Sequence, residues 1–277
     1  MRDLNGKVAV VTGAGSGIGR ALAVRFAAEG MRVALADVEQ DALMGTAALV
    51  DGEVMTKVVD VGEEKEVQAF ADAVFDTYGA VHVLCNNAGV FAGGELWSRP
   101  VADFEWVFRV NLWGVLHGIR AFVPRMIAQD SEGHIVNTAS VAGLFAAPFS
   151  GPYTISKFAA YGATESLAHE LAMNGSKLRV SVLCPGGVAT RIDESERNRP
   201  HELKAEKTPD QEFIDQVITD TVTAGIPPED VAAAVVAAIA EERFLILTHP
   251  QYGPGLLQQA EALVAGGLPQ LPDFEQR

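Results

Sequence analysis

Seven short apolar runs recur along the chain, and longer segments with helical periodicity lie between them. The runs are nearly continuous in apolar residues, which is typical of strands covered on both faces in a parallel sheet. We therefore predict strands at Val8–Val11, Val33–Ala36, Val54–Val59, Val81–Cys85, His134–Thr138, Arg179–Cys184 and Phe244–Leu247.

The intervening segments repeat apolar residues every three to four positions, which is the spacing of one helix face. They predict helices at about Gly17–Glu29, Glu39–Val50, Glu63–Tyr78, Val101–Gln129, Pro152–Met173 and Pro228–Glu241. Alternation of strands and helices favours right-handed crossovers, and therefore an α/β fold with a doubly wound parallel sheet and helices on both faces.

One region departs from this alternation. No strand is predicted from Gly187 to about Ile226, and residues 191–207 carry five basic and five acidic side chains. The simplest interpretation of the charge run is a solvated loop or short helix; the alternative is a lid over a site. We expect a single domain over residues 1–250, including this segment at about 187–226. The tail, 251–277, either packs on a neighbouring subunit or frays.

Composition limits the class of protein. The 277 residues are 48% hydrophobic and 21% charged, so the bulk of the chain is not disordered. A formal net charge of −15 disfavours nucleic-acid binding. The longest strongly apolar stretch, Val231–Ala240, is about half of the ~20 residues that a bilayer span needs, so we expect no membrane insertion.

Cysteine and histidine usage adds two further expectations. Cys85 and Cys184 are too few for a disulfide framework and fit a reducing, cytoplasmic compartment. The six histidines are scattered without the spacing of a ligand set, so no metal is expected.

A glycine-rich turn joins the first predicted strand to the first helix. The segment Thr12–Gly19 reads T-G-x-x-x-G-x-G, and a strict G-x-G-x-x-G does not fit it. Glycines let a backbone approach a pyrophosphate closely, and the helix N-terminus presents N–H groups to that anion. The turn predicts dinucleotide binding, with a merely tight structural turn as the alternative.

Asp37 ends the second strand, 18 residues after Gly19. An acidic residue at about this distance accepts hydrogen bonds from the adenosine ribose hydroxyls of a dinucleotide. Its charge would repel a 2′-phosphate, and no basic residue stands at Ala14, Gly15 or Val38. The cofactor expected is NAD rather than NADP, although Asp37 could instead simply cap the turn.

Tyr153 and Lys157 are four residues apart at the start of a predicted helix, and so share one helix face. A nearby ammonium favours the phenolate and is expected to lower the tyrosine pKa. Such a tyrosine can take a proton from an alcohol or give one to a carbonyl. Ser140 ends the fifth strand, at the edge where doubly wound sheets hold ligands.

Together these motifs resemble the short-chain dehydrogenase/reductase family, over residues 4 to about 248. The resemblance implies a single-domain doubly wound Rossmann fold with a seven-stranded parallel sheet flanked by helices on both faces. It also implies that the cofactor contacts Gly13, Ser16, Gly17, Ile18, Gly19, Asp37, Asp60, Val61, Asn87, Ala88, Gly89, Tyr153, Lys157, Pro185, Gly186, Val188 and Thr190.

The same resemblance implies the catalytic roles. Tyr153 would be the general acid/base, and Ser140 would orient the substrate oxygen. Lys157 would bind the nicotinamide ribose and depress the tyrosine pKa. Asn111 would hold a water that connects Lys157 to solvent. The helix that contains Tyr153 and Lys157 would pair across a subunit interface, which would give a homodimer or homotetramer.

The expected activity is NAD-dependent interconversion of a secondary alcohol and a ketone or aldehyde on a small, fairly hydrophobic molecule. The candidates for an apolar substrate pocket are residues that follow strand ends, namely Phe91, Trp97, Leu144, Phe145, Pro148 and Phe149. Two alternatives remain. A 3-oxoacyl-carrier-protein reductase would usually use NADP and a basic docking patch. A non-catalytic NAD-sensing regulator would have little need for Ser140, Tyr153 and Lys157.

Overall fold

The computed structural model describes residues 1–204, 206–269 and 271. Within them, seven strands form one parallel sheet in the order β3-β2-β1-β4-β5-β6-β7. The predicted α/β fold and doubly wound sheet are confirmed. The strands are β1 Val8–Thr12, β2 Arg32–Asp37, β3 Val54–Val58, β4 Val83–Asn86, β5 Gly133–Thr138, β6 Leu178–Cys184 and β7 Leu245–Leu247.

Helices cover both faces of the sheet. They are α1 Gly17–Ala28, α2 Gln40–Ala47, α3 Glu64–Tyr78, α4 Val101–Phe108, α5 Gly114–Ala128, α6 Gly151–Met173, α7 Pro209–Thr223, α8 Pro228–Glu241 and α9 Tyr252–Val264. On one face α1 and α8 pack together, with Phe26 and Ile239 fully buried. On the other face α3 and α5 pack together around Phe70 and Phe122.

The strand order reverses between β1 and β4, so the loops that follow these two strands diverge at the carboxyl edge of the sheet. Ligands of doubly wound sheets bind in the crevice opened by such a reversal. The hydroxyl of Thr12, at the end of β1, accepts hydrogen bonds from the backbone N–H groups of Asn87 (3.0 Å) and Ala88 (3.2 Å). These bonds fix the two sides of the crevice relative to each other.

Three helical features differ from the sequence prediction. The helix predicted over Val101–Gln129 is interrupted by a π-helical turn at Arg109–Trp113. The segment predicted as a loop or short helix contains short 3₁₀ turns at Ile192–Asn198 and His201–Leu203, followed by α7. The tail forms α9, although Gly253, Pro254 and Gly255 weaken its helical pattern.

Tertiary contacts account for the helix in the tail. The ring of Tyr252 packs against Phe145, with 6.0 Å between ring centroids, and the Gln259 side chain donates to the carbonyl of Leu144 at 2.8 Å. The last part of the predicted tail, residues 270 and 272–277, lies outside the described residues. Within the part of the chain that the structure describes, no helix has the length and apolar character to cross a bilayer.

Candidate active site

The crevice at the carboxyl edge is a continuous cleft lined from both halves of the sheet. Its wall includes the glycine turn after β1, the end of β2, the loops after β3 and β4, and the start of α6. The segment after β6 closes one side of it. Of the residues predicted to contact a cofactor, the cleft is lined by Gly13, Ser16, Gly17, Ile18, Asp37, Asp60, Val61, Asn87, Ala88, Gly89, Tyr153, Lys157, Pro185 and Thr190.

Gly13 and Gly17 shape the turn at the cleft floor. Both have positive φ, +65° and +49°, which glycine adopts without strain. A Cβ at Gly13 would lie 2.7 Å from the Cα of Ala88, and one at Gly17 would lie 2.8 Å from the Thr190 side chain. The turn therefore needs glycine both for its backbone conformation and for the close approach of neighbouring segments. This is the arrangement that a bound pyrophosphate requires.

Asp37 is fixed at the end of β2 beside this turn. One carboxylate oxygen accepts the N–H of Gly15 at 2.7 Å, and the other accepts the N–H of Glu39 at 2.9 Å. Burial raises the pKa of the carboxyl above its usual range, and these backbone hydrogen bonds act in the opposite direction. The side chain keeps lone pairs that can accept ribose hydroxyls, so its position and chemistry fit the predicted dinucleotide.

Tyr153 and Ser140 meet at the other end of the cleft. Ser140 lies close enough to Tyr153 for its hydroxyl to act on the phenol, and this interaction lowers the tyrosine pKa. The Ser140 hydroxyl also accepts from the N–H of Ala142 at 3.1 Å and points to the carbonyl of Pro185 at 3.4 Å. A substrate oxygen placed between the two hydroxyls would have both a hydrogen-bond partner and a proton acceptor.

Lys157 lies below Tyr153 and is 2% exposed. Its ammonium Nζ donates to the carbonyl of Thr138 at 3.0 Å and lies 5.5 Å from the centroid of the Tyr153 ring. Burial lowers the pKa of Lys157 to about 8, because removing the ammonium from water disfavours its charged form. The lysine is thus held by backbone next to the tyrosine, as the spacing of four residues predicts.

The prediction that Lys157 lowers the pKa of Tyr153 is wrong when only the protein's own side chains are considered. Burial raises the pKa of Tyr153 to about 12, and this effect is larger than that of the Ser140 hydrogen bond. Removing the phenol from water disfavours its charged form, and the spacing of Tyr153 and Lys157 gives no sign of this desolvation. A phenolate at this site therefore needs positive charge beyond that of Lys157, and an oxidised nicotinamide would supply it.

Asn111 is fully buried in the π-helical turn and does not face the cleft. Its side chain bonds both backbone groups of Val90, accepting the N–H at 2.8 Å and donating to the carbonyl at 2.9 Å. It also donates to the Ser156 hydroxyl at 3.0 Å. Asn111 therefore fixes the loop after β4 against α6. The predicted role in holding a water stays a prediction.

Four other predicted residues also lie outside the cleft lining, for different reasons. Gly19 is buried in α1 beneath the turn, and Ser140 is buried beside Tyr153. Gly186 packs against the rings of His249 and Tyr252. Val188, 4% exposed, belongs to the apolar core, and its backbone forms a parallel bridge to Ile226. The predicted position of Val188 beside the nicotinamide stays a prediction.

The structure brings charged residues to the cleft that sequence reasoning missed. Arg109 lines it and forms an ion pair with Asp60 at 2.9 Å, which fixes the carboxylate predicted to lie near the adenine ring. Glu39 and Arg197 also line it and pair with each other. The sequence predicts a solvated face or a substrate-binding lid around Arg197, and no local signal places this residue opposite Glu39.

The predicted apolar pocket forms only in part. Phe91 packs against the ring of Tyr153 with 5.2 Å between ring centroids. Phe149 packs edge-on against Phe213 of α7 at 5.7 Å. Phe145 is instead buried against α9, and Trp97 is 84% exposed. Phe91, from the loop after β4, is thus the aromatic side chain in contact with Tyr153, whereas Phe149 meets α7.

Comparison with known proteins identifies the family. A family model described as short chain dehydrogenase matches residues 7–201, more than two thirds of the chain. The chain belongs to the short chain dehydrogenase family. The match confirms the resemblance inferred from the motifs, so Tyr153, Lys157 and Ser140 are residues of a dehydrogenase.

Solved and curated relatives extend the match beyond the family model. A short chain dehydrogenase/reductase from Burkholderia phymatum, solved in complex with NAD, is 44% identical with a TM-score of 0.96, and the alignment covers 99% of both chains. The 1-deoxy-11-beta-hydroxypentalenate dehydrogenase of Streptomyces avermitilis is 37% identical over 89% of this chain and 86% of its own. The 2-(R)-hydroxypropyl-CoM dehydrogenase of Xanthobacter autotrophicus is 37% identical over 84% and 88%.

Proposed function

We propose that this dehydrogenase interconverts a secondary alcohol and a ketone or aldehyde, with NAD as the hydride carrier and Tyr153 as the general acid/base. The observation that carries the proposal is that Tyr153, which lines the cleft, lies beside Ser140, with the Lys157 ammonium 5.5 Å from the centroid of the Tyr153 ring. The names of the two curated relatives support an alcohol as the reacting group, since both describe dehydrogenation of hydroxylated molecules.

The residues of the chain divide the work of the reaction. The nicotinamide, when bound, accepts or supplies the hydride. In the oxidative direction Ser140 binds the substrate hydroxyl, and Tyr153 takes its proton as the carbinol carbon loses hydride. Lys157, held by the Thr138 carbonyl, contributes positive charge beneath the phenol. In the reverse direction Tyr153 returns the proton to the carbonyl oxygen.

NAD rather than NADP is favoured by Asp37 and by the relative solved with NAD. The carboxylate is oriented by the N–H groups of Gly15 and Glu39, so it cannot swing away from a ribose without losing both bonds. A 2′-phosphate at that point would meet a buried negative charge. Two alternatives are disfavoured. Asp37 and the net charge of −15 count against a 3-oxoacyl-carrier-protein reductase. The intact Tyr153, Ser140 and Lys157 count against a regulator without turnover.

For the substrate we propose a small, uncharged and fairly hydrophobic molecule. Phe91 packs against the ring of the catalytic Tyr153, and Phe149, which precedes α6, packs edge-on against Phe213 of α7. Such a wall favours apolar groups on the carbon that reacts.

We further propose a homodimer or homotetramer, supported by the partly exposed Ile155 and Phe158 on α6 (42% and 41%). A cytoplasmic location is supported by two buried free thiols.

A substrate panel tests the activity directly. Purified protein is mixed with NAD and secondary alcohols of increasing apolar size, or with NADH and the matching ketones, while the absorbance of the reduced nicotinamide is followed. We expect turnover with NAD and increasing kcat/KM with apolar size. Absence of turnover in both directions, with tight NADH binding, would favour the regulator instead.

A further inference from the structure

Two oppositely charged side chains meet at the rim of the cleft, next to the end of β2. Arg197 donates from Nε to Oε1 of Glu39 at 3.1 Å and from Nη2 to Oε2 at 3.1 Å, so the pair is bidentate. Both residues line the cleft, although they are 158 positions apart in sequence. Their side chains are 24% and 26% exposed, so water screens the pair only in part.

Each partner is fixed by its own segment. Nη1 of Arg197 donates to the carbonyls of Arg191 and Glu194, both at 2.9 Å, so the 3₁₀ turn itself aims the guanidinium. The backbone N–H of Glu39 donates to Asp37, the residue proposed to bind the adenosine ribose. The ion pair therefore connects the ribose-binding end of β2 to the segment after β6, across the cleft.

We propose that the Glu39–Arg197 pair is a clasp over the adenosine half of the bound dinucleotide, and that it sets how long the cofactor stays bound. The inference rests on the proposed function, because it requires NAD in this cleft with its ribose at Asp37. A dinucleotide with its ribose at Asp37 would lie between the glycine turn and the segment after β6, so its adenosine end would leave only when the pair opens. Glu39 and Arg197 are thus positioning residues that do not take part in hydride transfer.

The expected size of the effect follows from the exposure of the pair. A partly exposed ion pair contributes at most about 1 kcal/mol, even with good bidentate geometry. This corresponds to a roughly fivefold change in a rate constant. Since the pair closes over a cofactor that has already entered, the change should appear in the dissociation rate, and association should change less than about twofold.

The experiment measures NADH dissociation by stopped-flow displacement with excess NAD, following nicotinamide fluorescence. The variants are Arg197→Ala, Glu39→Ala and the double variant. Glu39 precedes α2 but makes no side-chain cap bond there, so its truncation leaves the start of the helix intact. We expect each single variant to release NADH roughly fivefold faster and the double variant to release it no faster than either single one. Raising the salt concentration should accelerate release from the unsubstituted protein only.

Glu194→Gln is the matched control. Glu194 forms an ion pair with Arg191 at 2.7 Å within the same turn, without crossing the cleft, and its side chain does not line the cleft. We expect an unchanged dissociation rate. Equal acceleration in Glu194→Gln would indicate general loosening of the segment and overturn the clasp, as would unchanged release in Arg197→Ala and Glu39→Ala.

Different results would contradict the proposed function and the clasp. If the unsubstituted protein neither binds NADH nor oxidises any alcohol of the panel, the proposed function is wrong and the clasp is wrong with it. If it binds NADH and turns over, and the variants release cofactor at the original rate, only the clasp is wrong. Arg197→Lys, which keeps the charge but loses the second hydrogen bond, should give an intermediate rate.

Discussion

The two sides of the cleft are stabilised by different kinds of contact. On the strand side, Lys157 is buried and bonded to the backbone of Thr138, and Ser140 bridges Tyr153 and the loop after β6. On the opposite side, the segment after β6 is held by charged pairs and by the Ser195 hydroxyl, which accepts the N–H of Phe91 at 3.0 Å. The strand side can therefore fix atoms for proton transfer, whereas the segment can open without disturbing the sheet.

The segment itself is held unequally at its two ends. Asp103 of α4 accepts from Arg199 at 2.5 Å and from Arg99 at 3.5 Å, and all three side chains are 1% exposed. The Glu39–Arg197 pair, only two residues earlier in the segment, is about one quarter exposed. Burial makes the first cluster hard to separate, while solvent keeps the second weak. We therefore expect any opening to occur at Arg197, with Arg199 as the fixed end.

The largest expected effect concerns the strand side. Tyr153→Phe removes the proton acceptor and leaves the ring that packs against Phe91. We expect kcat to fall roughly 100-fold or more, the scale of general acid–base catalysis, with NADH affinity nearly unchanged. Steady-state kinetics and fluorescence titration measure the two quantities separately. A fully active variant would remove Tyr153 from the proposed mechanism.

Asp103→Ala tests whether the fixed end of the segment depends on the buried cluster. The substitution leaves the guanidinium groups of Arg99 and Arg199 buried without their shared carboxylate. Arg99 keeps Asp210 and Arg199 keeps Glu196 as partners, so we expect the free energy of unfolding, measured by urea denaturation, to fall by about 3 kcal/mol, the lower end of the cost of breaking a buried pair. Asp72→Ala is the control. It breaks an exposed pair with Arg125 and should cost less than about 1 kcal/mol. Similar losses for the two variants would contradict the contrast between buried and exposed pairs.

A pH titration of stability probes Lys157 in the same buried wall. Burial lowers its pKa from 10.5 to about 8. Between these values the unfolded chain binds more protons than the folded one, so this group makes stability rise with pH across the window from about 8 to 10.5. Lys157→Met lacks this contribution. We expect the difference in unfolding free energy, unsubstituted minus variant, to grow by up to about 3 kcal/mol between pH 8 and 10.5. A constant difference would contradict the assigned burial of the ammonium.

Most of the fold was predictable because its signals are local. Each strand is a short apolar run, and Tyr153 and Lys157 are related by one helical turn. The interruption at Asn111 was not predictable, because it depends on hydrogen bonds to Val90 from another element. The same limit applies to the ion pair of Arg197, which needs a partner 158 residues away, and to the raised pKa of Tyr153, which depends on burial.

The smallest effect that we expect concerns cofactor preference at Asp37, where the two sides of the cleft meet. Asp37→Asn removes the charge that would repel a 2′-phosphate but keeps a side-chain oxygen that can accept the N–H of Gly15. Asp37→Ala removes both. If charge alone excludes NADP, both variants should raise the ratio of kcat/KM for NADP over NAD by roughly tenfold, about 1.4 kcal/mol. Asp37→Ala should in addition weaken binding of both cofactors, because the glycine turn loses its bond to β2. If the unsubstituted enzyme already prefers NADP, repulsion at Asp37 does not decide the preference.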